Sequence, residues 1–382
     1  MTINQMIQKE ENKMTSLKNI EESGKPVKEE GKIVTIKNRN EFLFLYDIKN
    51  GNPNGDPDEN RPRIEDKRCY VTDVRLKRFL RDYLIQTDGI DTIFVAKTGE
   101  KTNNLTDRIK KHLTTVDIEK IEGQELLDLL LDTYTDLRYF GSPLALTDDK
   151  WKDKTKSLTG AIQINFGETL NEVKEATFHG WGSVPHESGQ GGATPTTFYG
   201  IPYGLIAFHG VANENAAITT KLTQPDMDKF KVALWKCVRE SVTANTRTKK
   251  EQQPRLLLNI VYKEKIKVEG KETPVPTEYH IGSLEEKIKL NSKVGEGINI
   301  RKAGDYTLDP AALFNAIDRV KDKIERIEYC LSPEFCDIFE TGSNPPRAID
   351  FAGRLKEIAK KNDKESYFEV KNLDIDRLSV GA

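Results

Sequence analysis

A turn-rich loop that runs into a strongly basic helix, residues 50–84, constrains the fold of this 382-residue chain more than any other segment. Its first part, residues 50–58, combines asparagine, glycine, proline and aspartate, the residues that favour tight turns. From Arg61 to Arg81 there are eight cations and three anions, although the whole chain has a formal net charge of −2. The segment therefore predicts a local anion-binding surface on a nearly neutral protein.

The second part of this segment has the apolar spacing of an amphipathic helix over residues 73–87. Its apolar stripe consists of Leu76, Phe79, Leu80, Tyr83 and Leu84. Thr72 is the candidate N-cap, and Asp73 stands in the first turn, where the helix dipole favours an anion. Three cations are left near or beyond the border of the stripe: Lys77, Arg78 and Arg81. They either bind an anion or form an ordinary solvated face.

The composition favours a soluble globular protein. Charged residues make up 31% of the chain, no apolar run approaches the ~18 residues of a membrane span, and the N-terminus has no apolar signal-peptide core. We therefore expect a cytoplasmic protein with no membrane contact, built as two domains or as one domain with large insertions. The four cysteines form no CxxC pair, so neither a zinc site nor a disulfide framework is indicated. We expect no metal or cofactor.

The order of apolar segments predicts an α+β fold. Strands are expected at 41–50, 157–168, 203–214 and 254–264, and helices at 73–87 and 225–242. This β-α-β-β-α-β order is that of the ferredoxin-like fold, which RNA-recognition modules also use. The strands lack the aromatic signature with which such modules stack bases, so RNA is expected at the insertions and at the helix edge.

Segments outside this order divide the chain further. The predicted parts are a disordered arm (1–33), a core domain (34–265) with insertions at about 88–156 and 180–202, and a helical and loop extension (266–382) that packs on the core domain. The first insertion contains a predicted helix at 125–137. The extension contains a predicted helix at 310–330 with a seam of Leu313, Ile317, Val320, Ile324 and Ile327.

The loop at 50–58 has the spacing of a calcium-binding loop without its chemistry. Position 12 of that template is Arg61, where a bidentate glutamate is required, and prolines interrupt it. A rigid turn is the simpler interpretation, in which Asn54–Gly55 tolerates positive φ and turns backbone N–H groups toward a phosphate. The five histidines are scattered and no nucleophile motif occurs. The remaining enzymatic option is a metal-assisted nuclease that uses Asp56 and Asp58.

A glycine-rich loop over 180–200 and a second basic cluster complete the candidate sites. The residues interleaved with the six glycines of the loop include Trp181, His186, Phe198 and Tyr199. Because an apparent strand follows, where a phosphate-binding loop needs a helix, a mobile hairpin that wedges between bases is favoured over an ordinary surface loop. The second basic cluster stands just before the fourth strand, a position that favours proximity to the first, and consists of Arg247, Lys249, Lys250 and Arg255.

Six motifs occur in one order within residues 42–263: YDIKNGNPNGDPDENRPR, VTDVRLKRFLRDYL, RYFGSPLA, SLTGAIQINFG, YGLIAFHGVANE and QPRLLLNIVY. In this order they resemble the backbone subunit of type I CRISPR Cascade surveillance complexes, the Cas-seven family, and most closely its subtype I-B branch. The resemblance implies a palm of RNA-recognition fold, with a finger insertion at 88–156 and a thumb insertion at 180–202. It also implies a non-catalytic protein that polymerises along a guide RNA.

The resemblance implies contacts as well as a fold. In the family, the helix after the first strand grips the guide backbone, the thumb folds over the guide, and the palm contact falls near RYFGSPLA. With the residues singled out above, the expected RNA-binding set is Asn54, Arg61, Arg63, Lys67, Arg68, Thr72, Lys77, Arg78, Arg81, Gly141, Ser142, Leu144, Trp181, His186, Phe198, Tyr199, Arg247, Lys249, Lys250 and Arg255. The expected partners are guide RNA, target DNA paired with it, further copies of the chain in a head-to-tail helix, and the cap, large and guide-processing subunits of Cascade.

Two other functions remain open from the sequence. Related backbone subunits of type III effectors cut target RNA with an aspartate in the corresponding loop, and in a metal-dependent ribonuclease of that kind Asp56 would be the candidate. A structural protein would instead use the same cations to pair with acidic partners. The nuclease alternative lacks further ligands in the motifs, because nothing beside Asp56 and Asp58 supplies them.

Overall fold

The computed structural model describes residues 28–29, 32–96, 123–142, 157–184, 192–268, 270–343, 345–362 and 365–375. Most of the predicted arm, much of the finger and the centre of the thumb lie outside the described residues. Leu144 and His186 lie outside them too. None of the helices formed by these described ranges has the length and apolar character that crossing a membrane requires.

The described residues form the following α-helices and strands. The helices are α1 (Asp73–Asp88), α2 (Gly123–Thr133), α3 (Thr135–Phe140), α4 (Glu214–Thr220), α5 (Gln224–Glu240), α6 (Ala311–Arg319) and α7 (Phe351–Ala359). The strands are β1 (Lys28–Glu29), β2 (Lys32–Ile33), β3 (Asn40–Gly51), β4 (Ile64–Glu65), β5 (Arg68–Val71), β6 (Gly141–Ser142), β7 (Leu158–Thr159), β8 (Ile162–Ile164), β9 (Gly167–Thr169), β10 (Ala176–Val184), β11 (Gly192–Ala212), β12 (Gln252–Tyr262), β13 (Lys265–Ile266), β14 (Val275–Pro276), β15 (Lys289–Ser292), β16 (Tyr306–Asp309), β17 (Ile324–Leu331) and β18 (Glu369–Asn372).

A mixed sheet with the order β18-β17-β12-β3-β11-β9-β5-β4 organises this α/β structure. Strand β12 pairs antiparallel with β3 and with β17, whereas β17 pairs parallel with β18. Every residue of β3 from Asn40 to Ile48 is buried, which explains its nearly continuous apolar sequence, because a strand covered on both faces needs apolar side chains on both. Leu43 and Leu45 enter one buried cluster, while Tyr46 stacks on Phe208 with ring centroids 6.2 Å apart.

The chain divides into two compact units. The first comprises Met1–Arg39, Leu80–Gln163 and Val211–Leu234, and the second comprises Asn40–Phe79, Ile164–Gly210 and Trp235–Ala382. A small core in the first unit contains Phe94, Leu130 and Leu137. A larger core in the second unit is formed by side chains of β3, β11, β12, β17 and the helices α6 and α7.

Most of the long elements predicted from periodicity are confirmed. Helix α1 begins and ends within one residue of the prediction, and Leu76, Phe79, Leu80 and Leu84 of its stripe are buried, although Tyr83 is half-buried. Strands β3 and β12 and helix α5 match their predicted segments to within two residues. The predicted second strand is instead divided into β7, β8 and β9.

The predicted helix at 310–330 is wrong in its second half. Helix α6 ends at Arg319, a short 3₁₀ helix covers Lys321–Lys323, and β17 then pairs with β12. Ile324 and Ile327 continued the helical spacing of the seam, but they are β-branched and lie where an unpaired edge of β12 can accept a strand. Pairing with a distant strand therefore outweighed the local periodicity.

Candidate nucleic-acid interface

Asn54 ties the turn-rich loop to the beginning of α1. Its side chain is buried, and its Oδ1 accepts hydrogen bonds from both the backbone N–H and the hydroxyl of Thr72, each at 2.9 Å. The Thr72 Oγ1 in turn accepts the N–H of Arg75 at 3.3 Å, which is the N-cap role predicted for it. The loop and the first turn of the helix are thus held together by partly buried hydrogen bonds in the second unit.

Asp56 closes the loop on itself. Its Oδ1 accepts the backbone N–H groups of Asp58, Glu59 and Asn60 at 3.0, 2.8 and 3.0 Å, and its Oδ2 accepts that of Arg61 at 3.3 Å. These backbone donors, that of Glu59 foremost, hold the pKa of the Asp56 carboxyl below its ordinary value. Both carboxylate oxygens therefore accept hydrogen bonds that stabilise the turn.

The expected positive φ at Asn54–Gly55 is wrong. Positive φ angles occur at Asn50 and Asn60, at the two ends of the loop. Gly55 is needed for a different reason, because a Cβ there would overlap the side-chain oxygen of Asn60. The loop therefore lacks the expected turn of N–H groups toward a phosphate at Asn54–Gly55. Instead, the N–H groups of residues 58–60 point at the Asp56 carboxylate.

We expect Asp56→Ala to loosen this loop without removing any catalytic activity. The backbone amides of residues 58–60 would lose their acceptor and exchange with solvent faster, as measured by amide hydrogen exchange. Because the pKa of Asp56 is lowered on folding, its stabilising effect is present above the unfolded value of 3.8 and is lost as the pH falls through the lower folded value. The wild-type loop should therefore loosen in acid, whereas the variant should show no such change. Equal acid sensitivity in both would contradict this role.

Two arginines clamp the base of the β10–β11 hairpin. The guanidinium of Arg61 lies 4.1 Å from the ring centroid of Tyr199, and Arg247 lies 4.8 Å from that of Phe198. Phe198 also stacks on Phe178 of β10, with centroids 4.8 Å apart. Because neighbouring residues of a strand face opposite sides, the two arginines cover opposite faces of the hairpin. One arginine of each predicted basic cluster is therefore brought to this hairpin.

Backbone segments approach one another closely beneath the hairpin base. The N–H of Asn52 donates to the carbonyl of Thr248 at 2.8 Å. A Cβ on Gly51 would lie 2.4 Å from that carbonyl oxygen, and one on Gly200 would lie 2.7 Å from the Gly51 oxygen. Glycine at both positions lets the end of β3, the hairpin and the 241–251 turn meet.

The helix cations predicted to grip RNA have different partners. Lys77 pairs with Asp73 at 2.8 Å, one turn earlier in α1. Arg81 belongs to the first unit and donates to Asp136 at 2.8 Å, a carboxylate with no exposed surface. Asp136 also accepts the N–H groups of Phe94 and Val95. Arg81 is thus part of the folding of the first unit, and Arg78 is half-buried.

Other predicted residues have diverse surroundings. Lys67 and Lys250 are exposed, Arg63 donates to the Gly55 carbonyl at 3.5 Å, and Arg68 donates to the carbonyl of Thr169. Arg255 is largely buried, pairs with Asp47 and Glu334 at 2.9 Å each, and lies outside the hairpin clamp.

The remaining predicted contacts are two residues of the first unit and Trp181, of which only the backbone is described. Gly141 and Ser142 form β6 in the first unit, and Gly141 has a φ of 65° that glycine adopts without strain. A Cβ there would overlap the Leu158 carbonyl, so the residue is fixed by packing. Trp181 lies in β10 opposite Pro195.

Side chains that could bind a metal ion are dispersed within the described ranges. Among those residues, no group of three or more histidine, cysteine, aspartate or glutamate side chains is placed to hold a metal ion. His209 is buried, and its Nε2 lies 2.9 Å from the Glu41 carboxylate. Hydrogen bonds outweigh burial and lower the pKa of Glu41, and the donors are His209, Tyr262 and the N–H groups of residues 281–282.

Sequence inspection missed the partners that arrange the site. Glu175, which pairs with Arg61 at 2.8 Å, and Asp136 carry no local signal because each is far along the chain from its arginine. Arg75 belongs to the basic segment but is not in the expected RNA-binding set. It stands in the first turn of α1, where its N–H is capped by Thr72.

A family model and a relative that is 32% identical identify the same family. The family model described as CRISPR-associated protein Cas7 matches residues 38–310. A Haloferax volcanii protein described as CRISPR-associated protein Cas7 is 32% identical over 317 residues, covering 77% of this chain and 87% of that protein. Among solved structures, a chain of a CRISPR RNA-guided surveillance complex, pre-nicking, is 12% identical with a TM-score of 0.45, covering 84% of this chain and 99% of that one. A chain of another CRISPR RNA-guided surveillance complex is 13% identical with a TM-score of 0.38, covering 78% and 91%.

Proposed function

The chain belongs to the Cas7 family of CRISPR-associated proteins, and from this premise we propose that it is a non-catalytic backbone subunit of a type I surveillance complex that binds guide RNA. The observation that carries the proposal is the meeting of the turn-rich loop, the hairpin and the second basic cluster through Arg61 and Arg247. The proposed partners are the guide, target DNA paired with it, further copies of the chain, and the cap, large and guide-processing subunits of the complex. Subtype I-B is the proposed branch.

We propose that the core of the second unit is a ferredoxin-like palm. Its four central strands follow the order β12-β3-β11-β9, which supports this fold if β9 represents the second strand of the β-α-β-β-α-β pattern. The finger at about 88–156 and the thumb at 180–202 are the proposed insertions. The hairpin clamped by the two arginines then forms the base of the thumb.

Cations held in fixed positions suit a protein that binds an RNA backbone irrespective of sequence. Phosphate contacts supply affinity and orientation, whereas base pairing between guide and target reads the sequence. A nearly neutral chain with local cations avoids a general positive field, which would favour nonspecific binding. The exposed Arg247 and Lys250 provide such local positive charge.

The proposal is tested by the RNA that the purified chain retains. We expect nuclease-protected RNA of uniform length, because copies that follow one guide protect a defined stretch. Absence of bound RNA, or protection without a defined length, would overturn the guide-binding function. Incubation with complementary RNA and Mg²⁺ addresses the ribonuclease alternative, and cleavage that Asp56→Ala abolishes would establish it.

Lys77→Ala is expected to reduce the salt dependence of RNA binding. If Lys77 contacts one phosphate, the negative slope of log K against log salt concentration should become shallower by about 0.7 for a single strand. Its pair with Asp73 is local and partly solvated, so the stability cost should be about 0.3–0.5 kcal/mol. Lys356→Ala in α7 removes the same charge at an exposed site and serves as the control. An unchanged slope for Lys77→Ala would remove it from the RNA contact set.

A further inference from the structure

Lys249 is a buried cation with no acidic partner in the described part of the chain. Only 7% of its surface is exposed, although its neighbours Arg247 and Lys250 are exposed. Its ammonium group donates a hydrogen bond to the hydroxyl of the adjacent Thr248, at 3.4 Å. Buried lysines are rare unless they are paired, because removing the charge from water is costly. An uncompensated ammonium group at this position therefore points to an anion that binds there.

The position of Lys249 connects it with the beginning of α1. The carbonyl of Thr248 accepts the N–H of Asn52, and Asn54 in the same loop binds Thr72, the cap of the helix. Arg75 in the first turn lies near enough that its charge acts on Lys249. Burial, and then the charge of Arg75, lower the pKa of Lys249 to about 8. Of the other charged groups around them, Asp73 pairs with Lys77, and Arg247 covers Phe198.

We propose that Lys249 and Arg75 form a preformed site for one phosphate group of a nucleic-acid backbone, and that filling this site takes up a proton. The inference rests on the proposed RNA binding and deepens it. A phosphate offsets the repulsion between the two cations and the loss of hydration of the ammonium group. The dipole at the beginning of α1 favours an anion at the same end.

Proton uptake follows from the two states of Lys249. Without RNA, the ammonium group loses its proton as the pH rises through about 8. With phosphate bound, the charged form is favoured and the pKa returns toward its ordinary value. Affinity should therefore be nearly constant below pH 7 and about tenfold weaker at pH 9 than at pH 7, since each unit above the free pKa weakens binding about tenfold.

The test uses the full chain and oligoadenylate, because adenine does not titrate between pH 7 and 9. Wild type, Lys249→Met and Lys356→Met are compared at constant ionic strength, because Lys356 is exposed in α7 and outside the RNA-binding set. We expect the pH dependence in wild type and Lys356→Met, and its absence in Lys249→Met together with several-fold weaker binding at pH 7. Thermal unfolding without RNA checks the fold, and Lys249→Met should be no less stable than wild type at pH 7 because it removes a buried charge.

The outcomes separate this inference from the proposed function. RNA binding with no pH dependence in wild type, or with the same dependence in Lys249→Met, would overturn the phosphate site and leave guide binding intact. No binding of oligoadenylate or any other RNA by wild type would overturn both. Calorimetric proton uptake with oligoadenylate but not with inorganic phosphate would assign the site to the polymer backbone, whereas uptake with neither would exclude it.

Discussion

Arg81→Ala is expected to destabilise the protein by about 3 kcal/mol, several times the cost of Lys77→Ala on the same helix. Arg81 pairs at 2.8 Å with Asp136, whose side chain is wholly buried. Among the described residues, removing the guanidinium leaves that carboxylate with the backbone donors of Phe94 and Val95. The partial compensation by these two N–H groups places the effect at the lower end of the range for broken buried pairs.

A double-mutant cycle would measure the coupling between Arg81 and Asp136. Urea unfolding gives the stability of Arg81→Ala, of Asp136→Asn and of the variant that carries both substitutions. We expect the double variant to be less destabilised than the sum of the two single variants, because no uncompensated charge remains. Lys77→Ala is the matched control, since it also removes one cation from α1 but breaks only a local pair. Similar costs for both variants would contradict the structural role of Arg81. A loss of RNA binding in Arg81→Ala must therefore be compared with its folded fraction.

Deleting residues 183–197 is expected to leave a folded chain that binds RNA but assembles poorly on it. The deletion removes the outer part of the β10–β11 hairpin, including residues outside the described ranges, and retains Phe178, Phe198 and Tyr199 at the clamp. A head-to-tail interface that does not close generates an open helix, whose length is set by the RNA it follows. Without the hairpin, the periodic exposure of the guide and the ordered filaments should be lost.

Chemical footprinting of bound RNA, with native mass measurement of the assembly, would check this result. A variant with residues 185–191 replaced by glycine and serine at the same length is the control for connection length. It separates the chemistry of this segment from the presence of the hairpin. If the deletion variant keeps both the regular footprint and the full-length assembly, the thumb must lie elsewhere in the chain.

Local sequence patterns by themselves determined the long elements and the family resemblance. The stripe beginning at Leu76 predicted α1, and the apolar run at 41–50 predicted β3, because burial of one helix face or of both strand faces is specified within a few residues. The cap at Thr72 was predictable for the same reason. The density of cations between Arg61 and Arg81 also marked the loop and helix as the place to look for anion binding.

Only the tertiary structure decided what each cation does. Arg61 and Arg247 cover the hairpin, Arg81 compensates Asp136, and Lys249 is buried without a carboxylate among the described residues. These roles depend on partners separated by many residues along the chain. The formation of strand β17 was also decided by the tertiary structure, because pairing with β12 outweighed the helical spacing that continues to Ile324 and Ile327. A sequence pattern reports local spacing, whereas burial, pairing and pKa depend on the distant groups that folding places beside a residue.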